Sequence, residues 1–175
     1  MNRRIAKFSK VSFGQWASDM DAAGLSACFD EATMRELYEA IELPTRATSG
    51  SGGYDFKSPF DFMIAPGETV VVPTGIRCEM DEAWELLMFP KSGQGFKYRA
   101  QLDNTIGLID SDYAHSDNEG HILVKITNDS FERTKAKVMC VRRGKGFVQG
   151  TFVMYGITVD DEAEGVRNGG FGSTG

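Results

Sequence analysis

Two acids, a tyrosine, a lysine and a glutamine stand beside glycine-rich turns in this chain. These are residue types that handle phosphate and water. The run Asn104-Thr105-Ile106-Gly107-Leu108-Ile109-Asp110-Ser111-Asp112-Tyr113 carries an apolar stretch into two carboxylates and an aromatic ring. An acid at the end of a buried strand can hold and polarise a water. Acids at such a place also cap turns, and both readings stay open for Asp110 and Asp112. The segment Phe89-Pro90-Lys91-Ser92-Gly93-Gln94-Gly95 sets a cation, a hydroxyl and glycines after a β-like run. That suits a phosphate cradle or a solvated loop. In Gly144-Lys145-Gly146-Phe147-Val148-Gln149-Gly150 a glutamine lies between a β-run and a glycine. The segment Arg167-Asn168-Gly169-Gly170-Phe171-Gly172-Ser173-Thr174-Gly175 combines arginine, an aromatic ring and two hydroxyls with glycines. A flexible tail has this composition. So does a segment that closes on an anionic, ring-bearing ligand. Glycine admits backbone N–H groups to phosphate, arginine grips it as a fork, and phenylalanine stacks on a flat base.

The elements that must position these groups are short. Ile5 to Phe13 predicts a strand. Met34, Leu37, Tyr38 and Ile41 fall at helical spacing behind Asp30, a fair N-cap. After Leu43-Pro44 the texture becomes β-like to the end. Strands are expected at Val70–Val72, Glu85–Phe89, Thr105–Ile109, His121–Thr127, Ala136–Val141 and Thr151–Thr158, with a turn entering a strand at Gly52–Phe56. Many short strands with regular turns predict a mostly β, jelly-roll-like β-barrel. A short helical insert over about residues 14–43 (Phe13 to Leu43) interrupts it near the N-terminus. The 175 residues are read as one domain with no internal repeat.

Composition narrows the partners. A net charge of −6 leaves no basic stripe, so direct nucleic-acid binding is not expected. No apolar run is long enough to span a bilayer, and the first residues have no apolar signal core. Cys28, Cys78 and Cys140 are widely spaced and odd in number, which points to reduced thiols and a cytoplasmic protein rather than a disulfide framework or zinc site. His115 and His121 lack a clear third ligand and read as surface residues. Trp16 and Trp84 read as core or interface anchors.

Taken in order, the clusters resemble the five motifs of the trimeric dUTPase family (deoxyuridine triphosphate nucleotidohydrolases), from Leu43 to Gly175. Leu43 to Asp55 is similar to the first motif with its approach, Pro90-Lys91-Ser92-Gly93 to the second, Gly107 to Tyr113 to the third, Gly144 to Gln149 to the fourth and Gly169 to Gly175 to the fifth. The third and fifth are the specific ones.

The resemblance implies a homotrimer with active sites shared between subunits. It also implies hydrolysis of dUTP to dUMP and pyrophosphate, a reaction that limits uracil incorporation into DNA and supplies dUMP for thymidylate synthesis. Asp110 would be the catalytic base, orienting a water toward the α-phosphorus. Lys91, Ser92, Gly93 and Gln149 would contact phosphates. Asn104 and the backbone of Gly107, Leu108 and Ile109 would read uracil, and Tyr113 would lie under the deoxyribose and exclude a 2′-hydroxyl. Arg167, the closing arm's first residue (167–175), would reach the γ-phosphate with Phe171, Gly172, Ser173 and Thr174, Phe171 stacking on the base. Asp55 would support the site by ordering a metal's water shell or a neighbouring arginine. Mg²⁺ would be held by the triphosphate and waters, with no protein metal ligand.

Four departures from the family pattern stand out. Lys91 replaces the common arginine. Ala114 to Glu119 lengthen a hairpin. Arg167 lies one residue closer to the glycine pair. The helical insert resembles an extension of some bacterial and phage members, and its stripe is free to pack on its own subunit or on a neighbour. Alternative readings are a dCTP deaminase of the same fold, or a nucleotide-gated regulator that binds a protein partner through the insert.

Overall fold

The structure is a computed structural model that describes residues 3–130 and 137–169. The chain opens with β1 (Ala6–Lys10) and turns at once into helix α1 (Phe13–Ala22). The strand expected to Phe13 stops early because Ser12 caps the helix, its hydroxyl accepting from the Gln15 N–H. A 3₁₀ turn (Ser26–Cys28) leads to α2 (Glu31–Glu39), which Asp30 caps through the Thr33 N–H. The apolar spacing read from the sequence is therefore a real helix face over its first part: Met34 and Leu37 on it are buried, and so is Ile41 just past its end.

Strands follow: β2 (Thr45–Arg46), β3 (Tyr54–Lys57), β4 (Phe62–Ile64), β5 (Thr69–Pro73), β6 (Ile76–Met80) and β7 (Trp84–Pro90). After β7 comes a short helix, α3 (Ser92–Tyr98), then β8 (Ala100–Leu102), β9 (Gly107–Ile109), β10 (Leu123–Asn128), β11 (Met139–Val141) and β12 (Gly146–Met154). The first residue of the strand expected from Ala136 lies outside the described residues. The strand expected at Thr151–Thr158 instead runs Gly146–Met154. Its first half is paired on both sides, Gln149 facing Asp55 of β3 and Phe89 of β7.

Among the described residues the ladders form four sheets rather than one closed cylinder. The largest has the order β2-β3-β12-β7-β9, a second β5-β10-β8, and two hairpin-like pairs join β1 to β6 and β4 to β11. All the pairings are antiparallel. The sheets enclose one apolar core that contains Phe56, Phe60, Ile64, Leu86, Met88, Ile126, Met139 and Phe147. This is the mostly β, jelly-roll-like body expected, with α1 packed on α2 and β5 and α3 beside β8.

The insert is part of that core. Trp16 and Met20 are fully buried, and the Trp16 indole donates to the Pro73 carbonyl at 3.0 Å. The Val11 N–H donates to the Gly75 carbonyl. Gly75 has φ +74°, and a Cβ there would fall 2.3 Å from Ile41 Cδ1, so the body needs glycine where the insert lies on it. The apolar stripe thus packs on its own chain. Trp16→Ala removes a buried indole and a hydrogen bond, and is expected to cost about 3–5 kcal/mol. A lowered urea midpoint, followed by circular dichroism, checks it.

Candidate functional site

Two clusters of predicted site residues form, at opposite ends of one strand. At the C-terminal end of β7, Lys91 is the N-cap residue of α3. Ser92 and Gly93 open that helix, so the segment read as a cradle or loop is a helix start, where the first N–H groups lack intrahelical acceptors. The Lys91 ammonium pairs with the Asp55 carboxylate at 2.7 Å. Its stem lies over Gly146, where a Cβ would come within 3.0 Å of Lys91 Cδ. Gln149 stands beside Asp55 in register, and its amide reaches the Pro90 carbonyl at 3.5 Å. Asp55 therefore steadies a lysine here.

At the other end of β7, β9 pairs Ile109 with Leu86 and Gly107 with Met88. Asp110 leaves this strand and begins a 3₁₀ turn (Ser111–His115). Asn104, Gly107, Leu108, Ile109, Tyr113 and Arg167 line a largely apolar cavity of about 500 Å³, within the range of small-ligand sites. Asp110, Asp112 and Arg167 line a polar cavity beside it. Arg167 borders both. Its guanidinium pairs with the Asp110 carboxylate and, through Nε, with Asp112 at 2.7 Å. It also lies 5.9 Å from the centre of the Tyr113 ring. The arm's arginine thus rests on the two acids of its own chain. Phe171, Gly172, Ser173 and Thr174 lie outside the described residues.

Tyr113 is almost wholly buried, and its hydroxyl donates to the His121 carbonyl at 2.9 Å. Burial raises its pKa above the ordinary value, and the Asp19 charge adds to this. The hydrogen bond from Asn118 and the charge of Arg167 oppose it. His121 is not the surface residue expected. It is fully buried, accepting the Gly75 N–H on Nε2 at 2.8 Å and meeting Asp19 on Nδ1 at 2.5 Å. Its sequence neighbourhood gave no sign of this, because Asp19 lies in the insert. His115 is exposed, as read. Among the described residues no group of three or more His, Cys, Asp and Glu could hold a metal ion.

The distance between the clusters follows from the register. Asp110 continues β9 opposite Glu85, whereas Lys91 follows Pro90. At 3.4 Å per residue the two are about 20 Å apart along β7. One chain does not bring them together.

Comparison with known proteins identifies the family and the fold. The family model for dUTPase matches residues 39–140. A deoxyuridine 5'-triphosphate nucleotidohydrolase of Lactococcus lactis subsp. lactis is 36% identical over 138 residues, covering 77% of this chain and 89% of the relative. A dUTPase structure from Streptococcus mutans superposes with a TM-score of 0.59 at 32% identity, over 70% of this chain and 91% of that one. A dUTPase from phage phi11 of S. aureus, whose structure shows a structural Mg(II) ion, shares the fold with a TM-score of 0.57 at 18% identity, over 73% and 92% of the two chains. The chain belongs to the dUTPase family.

The two ion pairs of Arg167 should shield its main chain from cleavage. Asp110→Asn combined with Asp112→Asn removes both anions. Trypsin is then expected to cut after Arg167 severalfold faster than in the unaltered protein, as read by mass spectrometry of timed digests.

Proposed function

We propose that this chain hydrolyses dUTP to dUMP and pyrophosphate, as a homotrimer whose active sites are shared between subunits. The observation that carries the reading is the placement of Asp110. It lies at the end of β9, beside a cavity lined by Asn104, Gly107, Leu108, Ile109 and Tyr113. A carboxylate there can orient a water and take its proton as the oxygen attacks the α-phosphorus. Phosphoryl transfer asks mainly for positioning and neutralisation of charge.

The backbone of Gly107 to Ile109 offers peptide groups to a uracil edge, with Asn104 beside it. Groups fixed in that way reject a base whose donors and acceptors do not match. The Tyr113 ring, held from behind by its hydroxyl, closes the sugar end and leaves no room for a 2′-hydroxyl.

The separation of about 20 Å between Asp110 and Lys91 along β7 supports the shared site, because one triphosphate cannot span both ends of that strand. Lys91, Ser92, Gly93 and Gln149 of one copy would meet the phosphates of a substrate whose base and sugar lie on another. Exposed apolar side chains near the base cavity, Ile106 and Leu108, and along the following segment, Ile157, Val159 and Val166, are of the kind that assembly covers. Arg167 would pass from the two acids to the γ-phosphate as substrate arrives, with Phe171, Gly172, Ser173 and Thr174 completing the cover.

When bound on the triphosphate, Mg²⁺ supplies neutralisation of the phosphate charge. Its ligands would be phosphate oxygens and waters, with Asp55 ordering that water shell and the lysine it holds. The activity removes dUTP before it enters DNA and yields dUMP for thymidylate synthesis. The free thiols of Cys28, Cys78 and Cys140 suit the cytoplasm. No helix among the described residues is long and apolar enough to cross a membrane.

Pyrophosphate release assayed over a nucleotide panel, with native mass measurement alongside, tests the whole reading. The expected result is turnover of dUTP, but not UTP or dCTP, by a trimer in the presence of Mg²⁺. Asp110→Asn is expected to lose at least about a thousandfold in kcat while substrate still binds. An unchanged kcat would remove Asp110 from the role of base. Removal of residues 171–175 is expected to keep the trimer and collapse kcat.

A further inference from the structure

The insert is joined to the site by more than apolar packing. Two polar residues, Ser12 at its threshold and Asp19 within it, grip the segment that carries Tyr113. The Glu119 carboxylate accepts from the Ser12 N–H at 2.7 Å and from the Ser12 hydroxyl at 2.6 Å. These bonds hold its carboxyl below the ordinary glutamate value. Asp19 of α1 meets Nδ1 of the buried His121, and Gly75 donates to the opposite ring nitrogen. With the backbone N–H on Nε2, the ring proton of a neutral imidazole must be on Nδ1, facing Asp19. Asp19 also accepts from Gln15 at 2.8 Å. Burial would raise the Asp19 carboxyl, but the hydrogen bonds from His121 and Gln15 outweigh it and leave the pKa lowered.

From His121 the connection reaches Tyr113 in one step. The His121 carbonyl takes the tyrosine hydroxyl, while the Asn118 amide donates to that same hydroxyl at 2.8 Å. Ser116 braces Asn118 from the side. The two limbs of this loop touch through their backbones. Gly120, at φ +70°, lies where a Cβ would fall 2.6 Å from Ala114 Cα, so the loop closes only with glycine there. A ring held so tightly at one wall of the cavity takes its position from whatever holds His121.

From this geometry we infer that the helical insert is a working part of the substrate site. Asp19, acting through His121, is a positioning residue that fixes the Tyr113 ring and thereby sets the discrimination between deoxyribo- and ribonucleotides. The inference rests on the dUTP reading for its substrate, but its structural half can be measured without turnover.

The experiment compares the full-length protein with Asp19→Ala, Asp19→Asn and Asp30→Ala. Asp30 caps α2 through the Thr33 N–H and is not among the residues that line the cavity, so its loss weakens the insert at a place away from the connection. Two quantities are read: kcat/KM for dUTP and for UTP with Mg²⁺, and amide hydrogen exchange across residues 111–121. In Asp19→Ala, leaving the buried imidazole without its acceptor is expected to lower the dUTP-to-UTP ratio about tenfold, chiefly by raising kcat/KM for UTP as the ring yields to a 2′-hydroxyl. Exchange across 111–121 should rise. Asp19→Asn retains an acceptor oxygen and is expected to recover most of the ratio. Asp30→Ala is expected to lower the melting temperature and leave the ratio unchanged.

A folded Asp19→Ala protein with unaltered exchange across 111–121 would overturn the positioning role. An equal loss of ratio in Asp30→Ala would also overturn it, in favour of general loosening. Absence of dUTP turnover in the unaltered protein would overturn the proposed activity and the selectivity claim with it. Raised exchange in Asp19→Ala would then still support the structural connection.

Discussion

A single strand, β7, is the measure of this molecule. It pairs on one side with β12 and on the other with β9. That double pairing fixes where every group of chemical interest can go. The lysine and glutamine are referred to one end of it and the carboxylate to the other. Because antiparallel register is set by side-chain alternation on a sheet with one buried face, it cannot slip by a residue without turning the core outward. Leu86, Met88 and Val148 alternate into that core. The separation of the clusters is therefore as firm as the core itself. In the proposed shared site, copies of the chain would be brought together so that the clusters act on one molecule.

The second constraint is the seam between the helices and the body. Apolar contacts from Trp16, Met20 and Ile41 supply most of its adhesion, and Gly75 lets the two surfaces approach. Polar groups on such a seam are costly to bury unless paired. His121 and Asp19 meet that demand through each other and through Gly75 and Gln15. The insert is thus committed to its own chain along its apolar face.

Much of this was legible in the sequence. Short apolar runs of β-branched, aromatic and other large residues, set between turn residues, located β5, β7 and β10, and the cap at Asp30 with its helical spacing located α2. The third and fifth motifs gave the family, because an Ile-Asp-Ser-Asp-Tyr run and a glycine-rich segment with one phenylalanine combine residues that packing alone would not assemble. Other features were hidden for physical reasons. Strands β4 and β8 span three residues each, too short for alternation to register. In β6, charged Arg77 and Glu79 interrupt the apolar pattern. The extent of β12 was misjudged because its glycines, read as punctuation, lie between two paired neighbours. The start of α3 looked like a loop for the same reason: Gly93 and Gly95 are poor helix formers, and tertiary contacts decide the matter. Of the site, the identities were readable, but the partners were not. Nothing in the spacing told that Asp55 would hold Lys91, or that His121 would be buried against a residue about a hundred positions away.

The guanidinium resting on Asp110 and Asp112 has a consequence for how a polyanion can approach an acidic protein at all. Two bare carboxylates at the mouth of a cavity would repel a nucleotide before any contact formed. With Arg167 lying across them, one of the two negative charges is offset, and in the proposed reaction the arginine would already lie where an arriving phosphate needs it. In the proposed reaction the entrance would wait with one of these two negative charges offset, and would regain it only as the visitor takes the cation away.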